Sequence, residues 1–152
     1  MTKTKRIRYE WMIFILIAIG LIALLISSTR AELARNPSRQ AMADMGPHGF
    51  VTVDLRTDPY PARPTGTVEL NFMLTNSKNV TFVPDSFTYE YGLEGDDQPV
   101  GLGTAHPMSD GGGMLMGGEQ FPYAGTWWLR VSISKGDYRD DVQFTIDVRP
   151  AQ

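Results

Sequence analysis

Five stretches of this chain alternate apolar and polar residues with a period of two, and no other feature constrains the fold as strongly. In "FVTVDL" Val51, Val53 and Leu55 fall on one side, with Thr52, Asp54 and Arg56 on the other. "TVELNFML" sets Val68, Leu70, Phe72 and Leu74 against Glu69, Asn71 and Met73. "SFTYEYG", "TWWLRVSIS" and "DVQFTIDV" repeat the pattern around Tyr89, Leu129 and Phe144. Half-buried antiparallel strands produce this alternation. "SKGDYRD" separates the last two as a turn, and "DPYPARPTG" is too proline-rich for a central strand. The expectation is an all-β, immunoglobulin-like antiparallel β-sandwich over residues 48–150. About 100 residues suffice to bury a core without disulfides, and the chain has no cysteine with which to make one.

The N-terminus follows different rules. Residues 1–8 carry Lys3, Lys5, Arg6 and Arg8, and "WMIFILIAIGLIALLI" is then continuously apolar over residues 11–26. Sixteen residues rise about 24 Å, and including Tyr9, Glu10, Ser27 and Ser28 brings the helix to about 30 Å, one hydrocarbon thickness. Tyr9 and Trp11 suit an interface. The reading is a cytoplasmic basic tail over 1–8, a single transmembrane anchor over 9–28, and a juxtamembrane helix and linker over 29–47. A cleaved signal peptide competes with it, but Arg30 and Glu32 lie where a small-residue cleavage site belongs. Either way the basic cluster stays inside. The expected location is the cytoplasmic (inner) membrane, single-pass, with the C-terminal domain extracytoplasmic and the lipid bilayer as first partner.

Charge divides the same way. Residues 1–40 hold seven Lys/Arg against two Asp/Glu, and 41–152 hold seven against fifteen, so +5 and −8 sum to −3. An acidic exported part argues against nucleic acid as a partner.

From "FPYAGTWWLRVSISKGDYRDDVQFTIDVRP" the chain resembles the YtkA-like/FixH-like family of membrane-anchored extracytoplasmic β-sandwich domains. The "AGTW" turn (residues 124–127), the strand after it, the polar hairpin and the closing strand near Arg149 and Pro150 carry the likeness. "DPYPARPTGTVELNFML" adds a proline-rich turn and second strand. The resemblance implies a tethered sandwich associated with copper handling or terminal-oxidase assembly, and it brings no set of catalytic residues.

The chain has two histidines, and both sit among methionines: Met42, Met45 and His48 in "MADMGPH", then His106, Met108, Met114 and Met116 in "HPMSDGGGMLM". Five of the eight methionines lie in these two windows. Thioethers select Cu(I), and imidazole serves either oxidation state. Cysteine oxidises outside the cytoplasm, so Met and His suit that compartment. Met45, His48, His106, Met108, Met114 and Met116 are therefore the candidate metal ligands, with copper, Cu(I) or Cu(II), as cargo and glycines giving the loop its freedom to bend. The bland alternative is a short edge strand that buries Met114 and Met116 in a core gap.

"GGGMLMGG" lacks the Lys-Ser/Thr ending of a phosphate loop, which argues against nucleotide, and no "GxSxG" elbow supports a hydrolase. A non-catalytic role is expected. Trp127 and Trp128 must face opposite sides of their strand; Trp127 is expected in the core and Trp128 exposed or covered by a partner. Two functions stay open. One is a copper carrier for a membrane metalloenzyme such as a terminal oxidase. The other is an accessory subunit or assembly factor that docks on a membrane-protein complex through an aromatic patch and binds no metal.

Overall fold

A computed structural model describes the chain over residues 6–108 and 113–150, with side chains described at 13–27, 36–108 and 113–150. Lys3 and Lys5 of the basic tail and the Tyr9 and Trp11 side chains lie outside the described residues. The chain forms two compact units, Met1–Arg35 and Asn36–Gln152.

The first unit holds one helix, α1 (Arg6–Arg35). It stops where Asn36 precedes Pro37, since a residue before proline is pushed out of the helical region. Ile13, Phe14, Ile15, Leu16 and Ile17 are consecutive, and each is at least half exposed, so the helix is apolar on every side. Among the described residues no helix is long and apolar enough to cross a membrane; the stretch with described side chains, 13–27, rises about 22 Å.

The second unit is a β-sandwich of two antiparallel sheets. In chain order the strands are β1 (Arg39–Asp44), β2 (Phe50–Asp58), β3 (Val68–Asn76), β4 (Ser86–Leu93), β5 (Gly101–Thr104), β6 (His106–Pro107), β7 (Met114–Glu119), β8 (Gly125–Lys135) and β9 (Tyr138–Val148). One sheet runs β1-β2-β3-β7-β6 and the other β5-β4-β8-β9. All five strands read from the alternation form, with the expected residues inward: Val53, Leu70, Phe72, Leu129 and Ile146 are fully buried. Each such side chain contributes roughly 1.5–3 kcal/mol of burial.

The segment read as linker differs. Residues 39–44 form edge strand β1, paired along β2 from Arg39 opposite Leu55 to Asp44 opposite Phe50. Ala43 packs in the core and Ala41 against it. The sandwich thus begins before His48, and the Asn36 side-chain amide donates to the Thr57 carbonyl at 3.0 Å. Small alanines on the inner side left too little apolar contrast to mark this strand.

The glycine-rich segment differs too. Residues 114–119 are a regular strand between β3 and β6, and Gly117 faces inward. Its missing side chain is filled by Tyr89 of β4: a Cβ on Gly117 would stand 2.5 Å from the tyrosine hydroxyl, and one on Gly103 of β5 would strike the same ring. Glycine is required at 117 by this close approach between the sheets. Gly117→Ala should therefore lower stability by about 1–3 kcal/mol through overpacking, whereas Gly118→Ala, on the open side of the same strand, should cost clearly less. Urea unfolding of the full chain followed by tryptophan fluorescence tests this; equal costs at the two positions would contradict it.

Candidate functional site

The chain leaves one sheet and joins the other at Ala105, whose N–H donates to the Phe87 carbonyl at 3.3 Å. It then runs as β6 along the outer edge of β7. Cross-strand pairing sets His106 opposite Met116 and Pro107 opposite Leu115. The Met108 N–H donates to the Met114 carbonyl at 2.9 Å, which carries the same register one step further. On the far side of β7, Met114 lies opposite Met73 and Met116 opposite Asn71 of β3.

Strand parity decides which way these groups point. Leu115 and Gly117 are buried between the sheets, so Met114 and Met116 face outward. Met73 is 38% exposed and Met116 39%, His106 is exposed, and Met108 and Met114 are half-buried. The result is a grid on the outer face, with Met73, Met114 and Met108 in one row and Asn71, Met116 and His106 in the next. Directly opposed Cβ atoms stand about 4.5–5.5 Å apart in such a ladder, and methionine has three rotatable bonds to move its sulfur within that spacing. Four of the six candidate ligands, His106, Met108, Met114 and Met116, therefore come together.

The other two do not join them. Met45 has no exposed surface and belongs to the hydrophobic core, so its thioether serves packing rather than an open ligand set. His48 closes a 3-10 turn (Gly46–His48) and meets Phe82 and Tyr138 edge-on, at ring-centroid distances of 6.3 and 6.2 Å. The core-gap alternative for β7 is also corrected: Leu115 fills the core and the methionines face out. Met73 shares this outer face although it lies outside both methionine windows. Its signal was present in the alternation, an apolar side chain among Glu69 and Asn71 on the polar side of β3.

Trp127 is fully buried as expected, but Trp128 is only 8% exposed and is covered from within the chain. Its indole N–H donates to the Asp96 carbonyl at 2.8 Å, and the Arg130 guanidinium lies 5.3 Å from the ring centroid. It offers no open aromatic patch. On the outer face of the second sheet, an open groove of about 440 Å³ is lined by Thr88, Glu90, Leu102, Arg130 and Arg139. Its charges are paired among themselves, with Arg130 2.7 Å from Glu90 and Arg139 3.5 Å from Asp141. Among the described residues, no three His, Asp or Glu side chains gather as a metal-ligand group; what the outer face of β3, β7 and β6 gathers is mainly thioethers, with one imidazole.

Glu119, at the end of β7, ties this strand to the opposite sheet. It accepts a hydrogen bond from the Tyr89 hydroxyl at 2.8 Å and also interacts with the Tyr91 hydroxyl. Burial, then these contacts with the carboxylate, push the Tyr91 hydroxyl up to about 12 and that of Tyr89 further in the same direction.

No family model matches this chain, and neither a curated protein nor a solved structure matches it.

The tyrosines give the sandwich an alkaline limit. Unfolded tyrosine titrates near 10. Below that pH both states keep their protons, while above it the unfolded chain releases protons that the fold retains, so stability falls as pH rises from about 10 toward 12. A Tyr89→Phe, Tyr91→Phe variant should be less stable than wild type at neutral pH yet lose less between pH 10 and 12. Denaturation midpoints across that range decide it, and parallel alkaline slopes would refute the assignment.

Proposed function

We propose that this protein is a non-catalytic, membrane-tethered domain that carries copper on the outer face of β6 and β7 for delivery to a membrane metalloenzyme such as a terminal oxidase. The observation that carries the reading is the register: His106 opposite Met116, and Met108 bonded to Met114, on one solvent-facing side. Thioether and imidazole are ligands for copper, and neither thioether nor neutral imidazole must lose a proton to bind. Methionines on the open face of a sheet contribute little to a core, which favours a binding role for them over a packing one.

The tether is supported by α1. A helix apolar all round is stable inside a hydrocarbon layer or a protein core and not in water, and basic residues precede its apolar stretch. On this reading the chain spans the cytoplasmic membrane once, N-terminus inside, and presents an immunoglobulin-like sandwich of the YtkA-like/FixH-like kind outside.

The docking-subunit reading draws its support from a different part of the sandwich. Phe50, Val80, Val83 and Tyr138 are all exposed, and the His48 ring lies beside Tyr138. The tryptophan expected to lead such a patch, Trp128, is covered by the chain itself.

The two readings separate in a Cu(I) titration of the full chain in detergent micelles, competed against a chromophoric chelator under anaerobic reducing conditions. Wild type should take up Cu(I) stoichiometrically. The combined variant His106→Ala, Met108→Ala, Met114→Ala, Met116→Ala should weaken binding by at least about a hundredfold, roughly 2.7 kcal/mol. Met45→Leu and His48→Ala should leave it unchanged. Wild-type binding no tighter than that of the combined variant would turn the assignment to the docking subunit.

A further inference from the structure

The outer face of β7 is flanked on both sides, and the strand on its inner flank, β3, contributes a thioether that the hairpin alone does not have. Met73 stands directly opposite Met114, two residues along β3 from Asn71 opposite Met116. With His106 on β6 and Met108 just beyond it, five of six adjacent outer positions carry a soft or borderline ligand type. Met73 is too exposed to be a core residue and sits among polar neighbours, Glu69 and Asn71, on its own strand.

Hard ligands are nearly absent from this grid. Asp54 of β2 is opposite Met73, but its carboxylate is engaged by the Gln40 side-chain amide of β1 at 2.6 Å. The remaining oxygen donor in the six positions is the neutral amide of Asn71. Cu(II) favours tetragonal nitrogen and oxygen donors, and Zn(II) favours thiolate, imidazole and carboxylate. The six positions themselves offer one imidazole and no carboxylate or thiolate; the nearest carboxylates on this face, Asp54 opposite Met73 and Glu69 two residues beyond Asn71, stand outside them. The four thioethers are neutral, polarisable and suited to a soft monovalent d10 cation.

Resting on the copper reading above, we infer that Met73 is a ligand of the same site, and that the three-strand face made by Met73, Met114 and Met116 with Met108 and His106 selects Cu(I), or its analogue Ag(I), over Cu(II) and Zn(II). The strand-borne sulfurs supply the selectivity, because β3 and β7 are held in register along their length, while His106 and Met108 complete the set from the two-residue edge strand and its extension.

The test uses the full chain in detergent micelles with its methionine methyl groups isotopically labelled, in chloride-free buffer. Ag(I) should shift the methyl resonances of Met73, Met114 and Met116 together and leave that of buried Met45 unmoved. Met73→Leu keeps the size and apolarity of the side chain, so its unfolding midpoint should match wild type while Cu(I) affinity falls by about tenfold. Cu(II) and Zn(II) should neither shift the methionine methyls nor displace Ag(I). If wild type binds Cu(I) but Met73→Leu binds within about twofold of it and the Met73 methyl stays still, the inference fails while the copper reading stands. Cu(II) or Zn(II) displacing Ag(I) would overturn the selectivity, and a wild type that binds no Cu(I) would remove both.

Discussion

The placement of every outward group on β7 depends on one contact between the sheets. The Tyr89 ring lies in the space left by Gly103 and Gly117, and its hydroxyl ends on the Glu119 carboxylate. Side chains alternate along a strand, so a slip of one residue would exchange its two faces. A slip here would drive a methionine into the tyrosine ring and turn Leu115 toward solvent. Both penalties act in the same direction, and the register they fix is the one that sets Met114 and Met116 outward. Gly103 and Gly117 are therefore packing residues first. They let a large aromatic side chain cross between the sheets and hold Met114 and Met116 in a defined row.

The same contact explains which parts of the fold were legible in the sequence. Where alternation was written in Val, Leu, Phe and Ile, as in β2, β3, β8 and β9, the strands and their faces could be read directly. β5 was not legible because its inward positions are Gly101 and Gly103, whose space is filled by Tyr91 and Tyr89 from the neighbouring strand. Hydropathy along β5 carries no trace of that. β1 was hidden for a related reason, since its inward residues are Ala41 and Ala43, and β6 is only two residues long. Trp128 was read correctly as facing away from the core, but the cover supplied through Asp96 comes from 32 residues away in sequence.

For the candidate site, composition singles out six residues, and strand pairing brings four of them onto one outer face. His106, Met108, Met114 and Met116 are close in sequence and also close in space, because a hairpin register joins them. Met45 and His48 match the same composition, yet Met45 lies in the core and His48, though exposed, stands beside Phe82 and Tyr138 rather than on β6 or β7. Met73 stands opposite Met114 although 41 positions separate them in the sequence. Local clustering overweights neighbours along the chain, whereas a sheet brings together residues of equal parity on strands that happen to pair.

A ligand set on a sheet differs physically from one on flexible loops. Loop ligands must be ordered when the ion binds, at a cost of about 0.5–1.5 kcal/mol for each side chain immobilised and more for the backbone. On the copper reading the strand backbone is already fixed, so only the rotamers of the four methionines and His106 remain to be ordered. These groups also fall into two tiers. Met73, Met114 and Met116 stand on strands held by ladders on both sides, while His106 and Met108 lie at the sheet's edge, with no strand beyond them in the sheet order. On the copper reading, an incoming ligand from an acceptor could displace the edge groups while the inner sulfurs still hold the ion. An ion passed in that way never has to leave its coordination shell all at once, which is the requirement that any carrier of a tightly bound metal has to meet.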